Sequence, residues 1–208
     1  MMLLLTLLSV GFIVLAIIGF VRPQYGERFQ FDVYVGAMLI VAALLAIFPV
    51  RHLLFEMRLA RVAEALIGHE HVIVDCQSTF DSIFHLGAAG FVYRDSGRIN
   101  LEVRTCRWLR GYLDDPVGAD PLELFSLHVL THEAMHVAGI YNEKRADCSA
   151  FQRNHRTAIL LGVPGNVAIL NARDLHRTRA PSHPYYSPEC EPGGGMDEKL
   201  PDAVWTKS

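Results

Sequence analysis

No charged side chain occurs between Met1 and Val21, and none occurs between Val33 and Val50. A helix needs roughly 17–25 predominantly apolar residues to cross a bilayer, so each run is long enough to span one. No lysine or arginine precedes Arg22, and IIGFVRPQYG offers no clear A-x-A site. Both lacks argue against a secretory signal peptide, which carries a basic start and a small-residue cleavage site. The expected anchor is therefore a pair of transmembrane helices over residues 1–50. Arg22 to Asp32 would form the short loop between them, and residues 51–208 a domain outside the bilayer.

Other absences narrow the function. The formal net charge is -3 and the pI about 6.3, without a basic stripe, so nothing points to nucleic acid. The chain has no long run of like charge and no internal repeat. It has no C-x-x-C pair, which argues against a four-cysteine zinc site.

What the chain does have is 208 residues, 51% of them hydrophobic, with a mean hydropathy of +0.23 concentrated at the N-terminus. Its four cysteines, Cys76, Cys106, Cys148 and Cys190, all lie in the extramembrane part. An even set in one small domain reads as two disulfides with three possible connectivities, and disulfides persist in oxidising compartments. Arg22 and Arg28 in the loop nearly balance Arg51, Arg58 and Arg61 after the second run, so the positive-inside bias decides little. The basic flank of the first run favours an outside N-terminus. With the cysteines, this favours an extracytoplasmic domain on a multi-pass membrane protein.

Periodicity gives a coarse α+β reading. RHLLFEMRLARVAEALIG repeats apolar residues at helical spacing and stops at Gly68, as a separate amphipathic helix would. HVIVDC, GFVY and RINLEVRTC read as a small sheet or hairpin with RDSG as a turn. PLELFSLHVLTHEAMHVAG starts on proline and ends on Gly139, which marks a helix. Asn142 caps a further helix to about Leu161, and a last one starts near Val167. The tail from Pro181 is rich in proline and glycine and should be irregular, with Cys190 able to pin it.

Chemistry concentrates in THEAMHVAGIYNEKRADCSAFQ, residues 131–152. On a helix His132 and His136 lie one turn apart on one face, so both imidazoles can reach one ion. Glu133 projects beside that ion, where it can take a proton from water. This H-E-x-x-H arrangement is the zincin signature. A catalytic zinc needs a third protein ligand and an open position. In metzincins the motif continues to a third histidine, but here that place holds Asn142. NEKRADCSA instead resembles the E-x-x-A-D-x-x-A element of gluzincin-type membrane zinc peptidases related to the prenyl-protein and heat-shock proteases. That resemblance implies Glu143 as the third zinc ligand and Asp147 as a supporting carboxylate, although those enzymes place the element far downstream. Geometry alone leaves the two open, because Glu143 and Asp147 flank the position that His136 would face across a tight helix pair. H-E-A-x-H followed by N-E and A-D-C also resembles small uncharacterised actinobacterial membrane-anchored proteins, over roughly residues 72–195.

The expectation is thus a small zincin-like α+β domain with a helical active-site core behind two transmembrane helices. Its cofactor would be zinc, its metal ligands would come from His132, His136, Glu143 and Asp147, and Glu133 would be the catalytic base. The partners would be a peptide or protein substrate and the membrane. The alternative is a non-catalytic zinc-stabilised binding or scaffold module; a third reading is a metal-free membrane adaptor. Neighbouring residues read as structural: His128, because three histidines at this spacing drift around a helix; His69 to His71, as a solvated turn; and Tyr141, as a packing residue. The expected disulfides are Cys76–Cys106, bracketing the sheet, and Cys148–Cys190, fastening the tail to the helix with the third ligand.

Overall fold

A computed structural model describes residues 2–21, 28–68, 71–78, 88–93, 96–179 and 184–204. The chain divides into two compact units, Met1–Phe55 and Glu56–Ser208.

The first unit holds helix α1 (Met2–Val21) and the start of helix α2 (Arg28–Ile67). Both helices are long and apolar enough to cross a membrane. They meet through small residues: Ala16 and Ala42 are buried, and the Ser9 hydroxyl donates to the Ala42 carbonyl at 2.9 Å. Small side chains let helix backbones approach closely. Leu4, Phe20, Ile40 and Phe48 point outward.

Two boundaries differ from expectation. The second apolar run and the amphipathic segment after it form one helix of 40 residues that passes through Pro49. Arg51 marks a change of composition rather than a change of backbone. No glycine or turn residue follows until Gly68, whose φ of +67° ends the helix. At its other end α2 begins at Arg28 rather than after Asp32, so helix covers part of the expected loop; residues 22–27 lie outside the described residues.

In the second unit the end of α2 seats the first strand. Glu64 Oε1 accepts from the backbone amides of His71 (3.0 Å) and Val72 (3.1 Å), and Glu56 Oε1 accepts from that of Cys76 at 2.8 Å. His69 and Glu70 of the expected solvated turn lie outside the described residues. Strands β1 (Ile73–Cys76), β2 (Gly90–Val92) and β3 (Arg98–Leu101) form a sheet ordered β1-β3-β2. β1 runs parallel to β3, and β2 antiparallel to it with Phe91 opposite Asn100.

RINLEVRTC does not continue as strand. Glu102 turns the chain into helix α3 (Val103–Asp114), capping it by accepting from the Arg104 amide at 3.2 Å. The alternation that reads as strand up to Leu101 gives way to an amphipathic helix whose buried residues are Thr105, Cys106, Leu109 and Tyr112. Spacings of three and four mark that face.

Helix α4 (Pro121–Val137) is the centre of the domain and packs on α3, on the sheet, and on helices α5 (Glu143–Leu160) and α6 (Gly165–Arg179). A reciprocal capping box starts it: Asp120 accepts from the Leu122 and Glu123 amides, while Glu123 accepts from the Asp120 amide. Gly139, at φ +89°, turns the chain, and Asn142 caps α5 by accepting from the Arg145 amide at 3.1 Å. That two-cap turn folds α5 back along α4.

Residues 184–204 form neither helix nor strand. They are tied to α5 by the Arg153–Glu198 pair (2.6 Å), the Arg156–Asp202 pair (2.5 Å), and the Gln152 side chain, which bonds the Met196 carbonyl and the Glu198 amide. Disulfides join Cys76 to Cys106 and Cys148 to Cys190. Both expected pairs are present.

Candidate metal centre

Two stripes of side chains face each other across the α4–α5 interface. On α4, His128, His132 and His136 recur at i, i+4 and i+8; on α5, Glu143, Asp147, Phe151 and Asn154 share one face by the same geometry. Because the chain reverses at Gly139, the first residue of the α5 stripe meets the last histidine of α4, and pairing then proceeds outward from the turn.

Nearest the turn, Glu143 Oε2 lies 3.1 Å from His132 Nε2 and 3.4 Å from His136 Nε2. His136 Nδ1 donates to the Ile140 carbonyl at 2.8 Å. That bond puts the ring proton on Nδ1 and leaves the Nε2 lone pair facing Glu143. One step further, Asp147 Oδ1 lies 3.8 Å from His132 Nδ1, on the far side of the ring from Glu143. Asp147 also contacts His128 Nε2 at 2.9 Å.

Two groups can therefore hold a metal ion, and they share His132: His132 with His136 and Glu143, and the buried trio His128, His132 and Asp147. In each, the ligand atoms lie within 4.8 Å of one another. Two imidazoles and a carboxylate form a donor set that suits zinc and neighbouring divalent transition metals. The four sequence-derived ligand candidates all reach this region, with different partners. Glu143 faces Nε2 of both motif histidines, whereas Asp147 sits behind His132 and against His128.

His128, read from sequence as purely structural, belongs to the second group. Drift around the helix does not remove it from the site, because the facing row on α5 follows the same spacing and stays in register with it.

Glu133 is buried beside the cluster, and its Oε2 has no hydrogen-bond partner among the described residues. Burial, with Glu143 nearby as the smaller cause, pushes its carboxyl up from 4.5 to about 8. A buried polar atom without a partner is costly and calls for an explanation. An ion between the histidines would supply one, because a nearby cation stabilises a carboxylate.

The cluster opens into a cavity of about 430 Å³ whose wall includes Phe91, Phe125, Val129, Tyr141 and Tyr185. Tyr185 comes from the tail and stacks on His132 with ring centroids 6.3 Å apart. Tyr141 lines the cavity too. The β2 side is tight: a Cβ on Gly90 would lie 2.9 Å from Val129 Cγ1 and 3.0 Å from Glu133 Cγ. Only glycine lets this strand come so close to α4 at Glu133.

Sequence reasoning did not select Gly90, Tyr185 or Asn154. Gly90 and Tyr185 are brought in from separate elements by tertiary packing, with no local motif to mark them. Asn154 could have been found by extending the i, i+4 face of Glu143 and Asp147 along α5.

Comparison with known proteins finds no family model that matches the chain, and no match among curated proteins or solved structures.

Proposed function

We propose that this chain is a membrane-anchored zinc-dependent peptidase with His132, His136 and Glu143 as the metal ligands and Glu133 as the general base. The carrying observation is the approach of Glu143 Oε2 to the Nε2 atoms of both motif histidines, at 3.1 and 3.4 Å, on the wall of an accessible cavity. Three protein ligands and open space beside them are the composition of a catalytic zinc site rather than a closed structural one.

Zinc held there would supply Lewis acidity toward a substrate carbonyl and a water acidic enough to ionise near neutral pH. Glu133 would be the group that takes a proton from the attacking water and hands it to the departing amine. It is buried and lines the cavity beside the two motif histidines, as that exchange requires. His136 is oriented by the Ile140 carbonyl and His132 is backed by Asp147. The aromatic wall gives an extended peptide apolar contact. Two helices long and apolar enough to cross a membrane support a tether to a bilayer, and two disulfides favour an extracytoplasmic domain.

The test uses full-length protein in detergent or nanodiscs, fluorescein-labelled casein and a mixed peptide library. Wild type is expected to carry one zinc per chain and to cleave; Glu133→Gln should keep the zinc and lose hydrolysis. Retained cleavage in Glu133→Gln would overturn the mechanism. Stoichiometric zinc without cleavage of any probe would favour the scaffold reading.

A further inference from the structure

Behind the proposed ligands lies a buried polar chain of which the mechanism uses only Asp147. His128 is 2% exposed, Asp147 2% and Asn154 0%. Asn154 Nδ2 lies 3.1 Å from His128 Nδ1, His128 Nε2 lies 2.9 Å from Asp147 Oδ1, and Asp147 Oδ1 faces His132 Nδ1 at 3.8 Å.

The direction of this chain follows from chemistry. A carboxylate oxygen only accepts, so at 2.9 Å His128 Nε2 must carry the ring proton and donate it to Asp147. Its Nδ1 is then an acceptor, and Asn154 must present its amide rather than its carbonyl. Asn154 does so although this leaves its Oδ1 buried without a partner among the described residues. Phe151 stacks on the His128 ring with centroids 4.3 Å apart, holding the ring's plane. Three residues of one α5 face thus fix a single α4 side chain in plane, position and tautomer. A ring so committed has no lone pair to offer an ion.

On the strength of the zinc site assigned above, we propose that His128 is a positioning residue: held by Asn154 and Phe151, it aims Asp147 at His132 Nδ1 and so sets the orientation of a metal-binding imidazole. Carboxylates behind ligating histidines orient the ring and raise its basicity, and their loss costs about 10–100-fold in metal affinity. Here the carboxylate has its own support one layer further in. The trio of His128, His132 and Asp147 is on this view one ligand and its backing rather than a second metal site.

The experiment measures zinc affinity by chelator competition and the visible spectrum of cobalt-substituted full-length protein, for wild type, His132→Ala, His128→Phe, His128→Gln and Asn154→Leu. His128→Phe keeps a flat ring against Phe151 but removes the donor, and should weaken zinc binding by about 10–100-fold and shift the cobalt bands at saturation. His128→Gln keeps an N–H toward Asp147 and should recover most of the affinity. Asn154→Leu, which leaves the His128 donor to Asp147 in place, should change affinity in the same direction by less, and it carries the test should His128→Phe fail to fold. Zinc affinity and cobalt spectrum unchanged in the folded variants would overturn the proposal while leaving the metal site standing on His132→Ala. Two ions per wild-type chain, falling to one in His128→Phe, would make His128 a ligand and overturn it too. A wild type that binds no metal would overturn both this proposal and the zinc site.

Discussion

Glu143 Oε2 lies 3.1 Å from His132 Nε2, whereas Asp147 Oδ1 approaches the opposite nitrogen of the same ring at 3.8 Å. The two carboxylates sit one helical turn apart on α5, and the imidazole stands between them. Truncating each should therefore fail differently. Glu143→Ala is expected to lose zinc nearly as completely as His132→Ala, while Asp147→Ala should weaken binding by about 10–100-fold. Elemental analysis with chelator competition reads both, and the reverse order would make Asp147 the ligand.

Gly90→Ala should disturb the site from the sheet side. The added methyl would press on Val129 and Glu133, at 2.9 and 3.0 Å. Forcing extra volume into a packed contact costs about 1–3 kcal/mol. A lower melting temperature and reduced hydrolysis with zinc retained are the expected outcomes; wild-type values for both would refute the assignment of Gly90.

The metal-free protein should lose stability as pH rises. The Glu133 carboxyl is raised in the folded state to about 8, against an ordinary 4.5. Between these values the folded chain holds a proton that the unfolded chain has released, so stability falls with increasing pH, by at most about 1.4 kcal/mol per unit. Glu133→Gln cannot ionise and should melt higher than wild type at pH 8, with little difference at pH 4. Thermal melts in chelator across that range check it, and a difference that does not grow with pH would contradict it.

Cys148→Ser should free the tail. The bridge to Cys190 closes 42 residues of chain, and removing a native disulfide from a small domain costs about 2–5 kcal/mol. The expected signs are a lower melting temperature and faster proteolysis near residues 184–190, even with the Arg153–Glu198 and Arg156–Asp202 pairs intact. Peptide mapping of wild type should find both cross-links and no free thiol.

Much of this arrangement is legible from local signals. Pro121 and Gly139 bracket α4, Asn142 caps α5, and the spacing of His132 and His136 places them together; each depends on neighbours within a turn or two. The start of α3 is not legible, because RINLEV alternates as a strand does and Glu102 becomes a cap only once the strand ends at Leu101. The length of α2 is obscured because Arg51 interrupts hydrophobicity and not helix. The contact of His128 with Asp147 is not legible from α4 alone, since it depends on the register of a second helix. Tyr185 and Gly90 reach the cavity through packing between distant segments, which no short pattern encodes.

Helix α4 is enclosed by α3, α5, α6 and the sheet, with every residue from Ser126 to Met135 buried. His128 and His132 thus belong to the stator of this fold and cannot move without dismantling the core. The wall of the cavity is less constrained: Tyr185 is 39% exposed and lies on irregular chain whose nearest covalent tie is Cys190. Tyr185 is thus a wall residue that can shift without disturbing α4. Amide hydrogen exchange should be slowest along α4 and faster around Tyr185, and mutations in the two places should then change metal binding and access to the cavity separately.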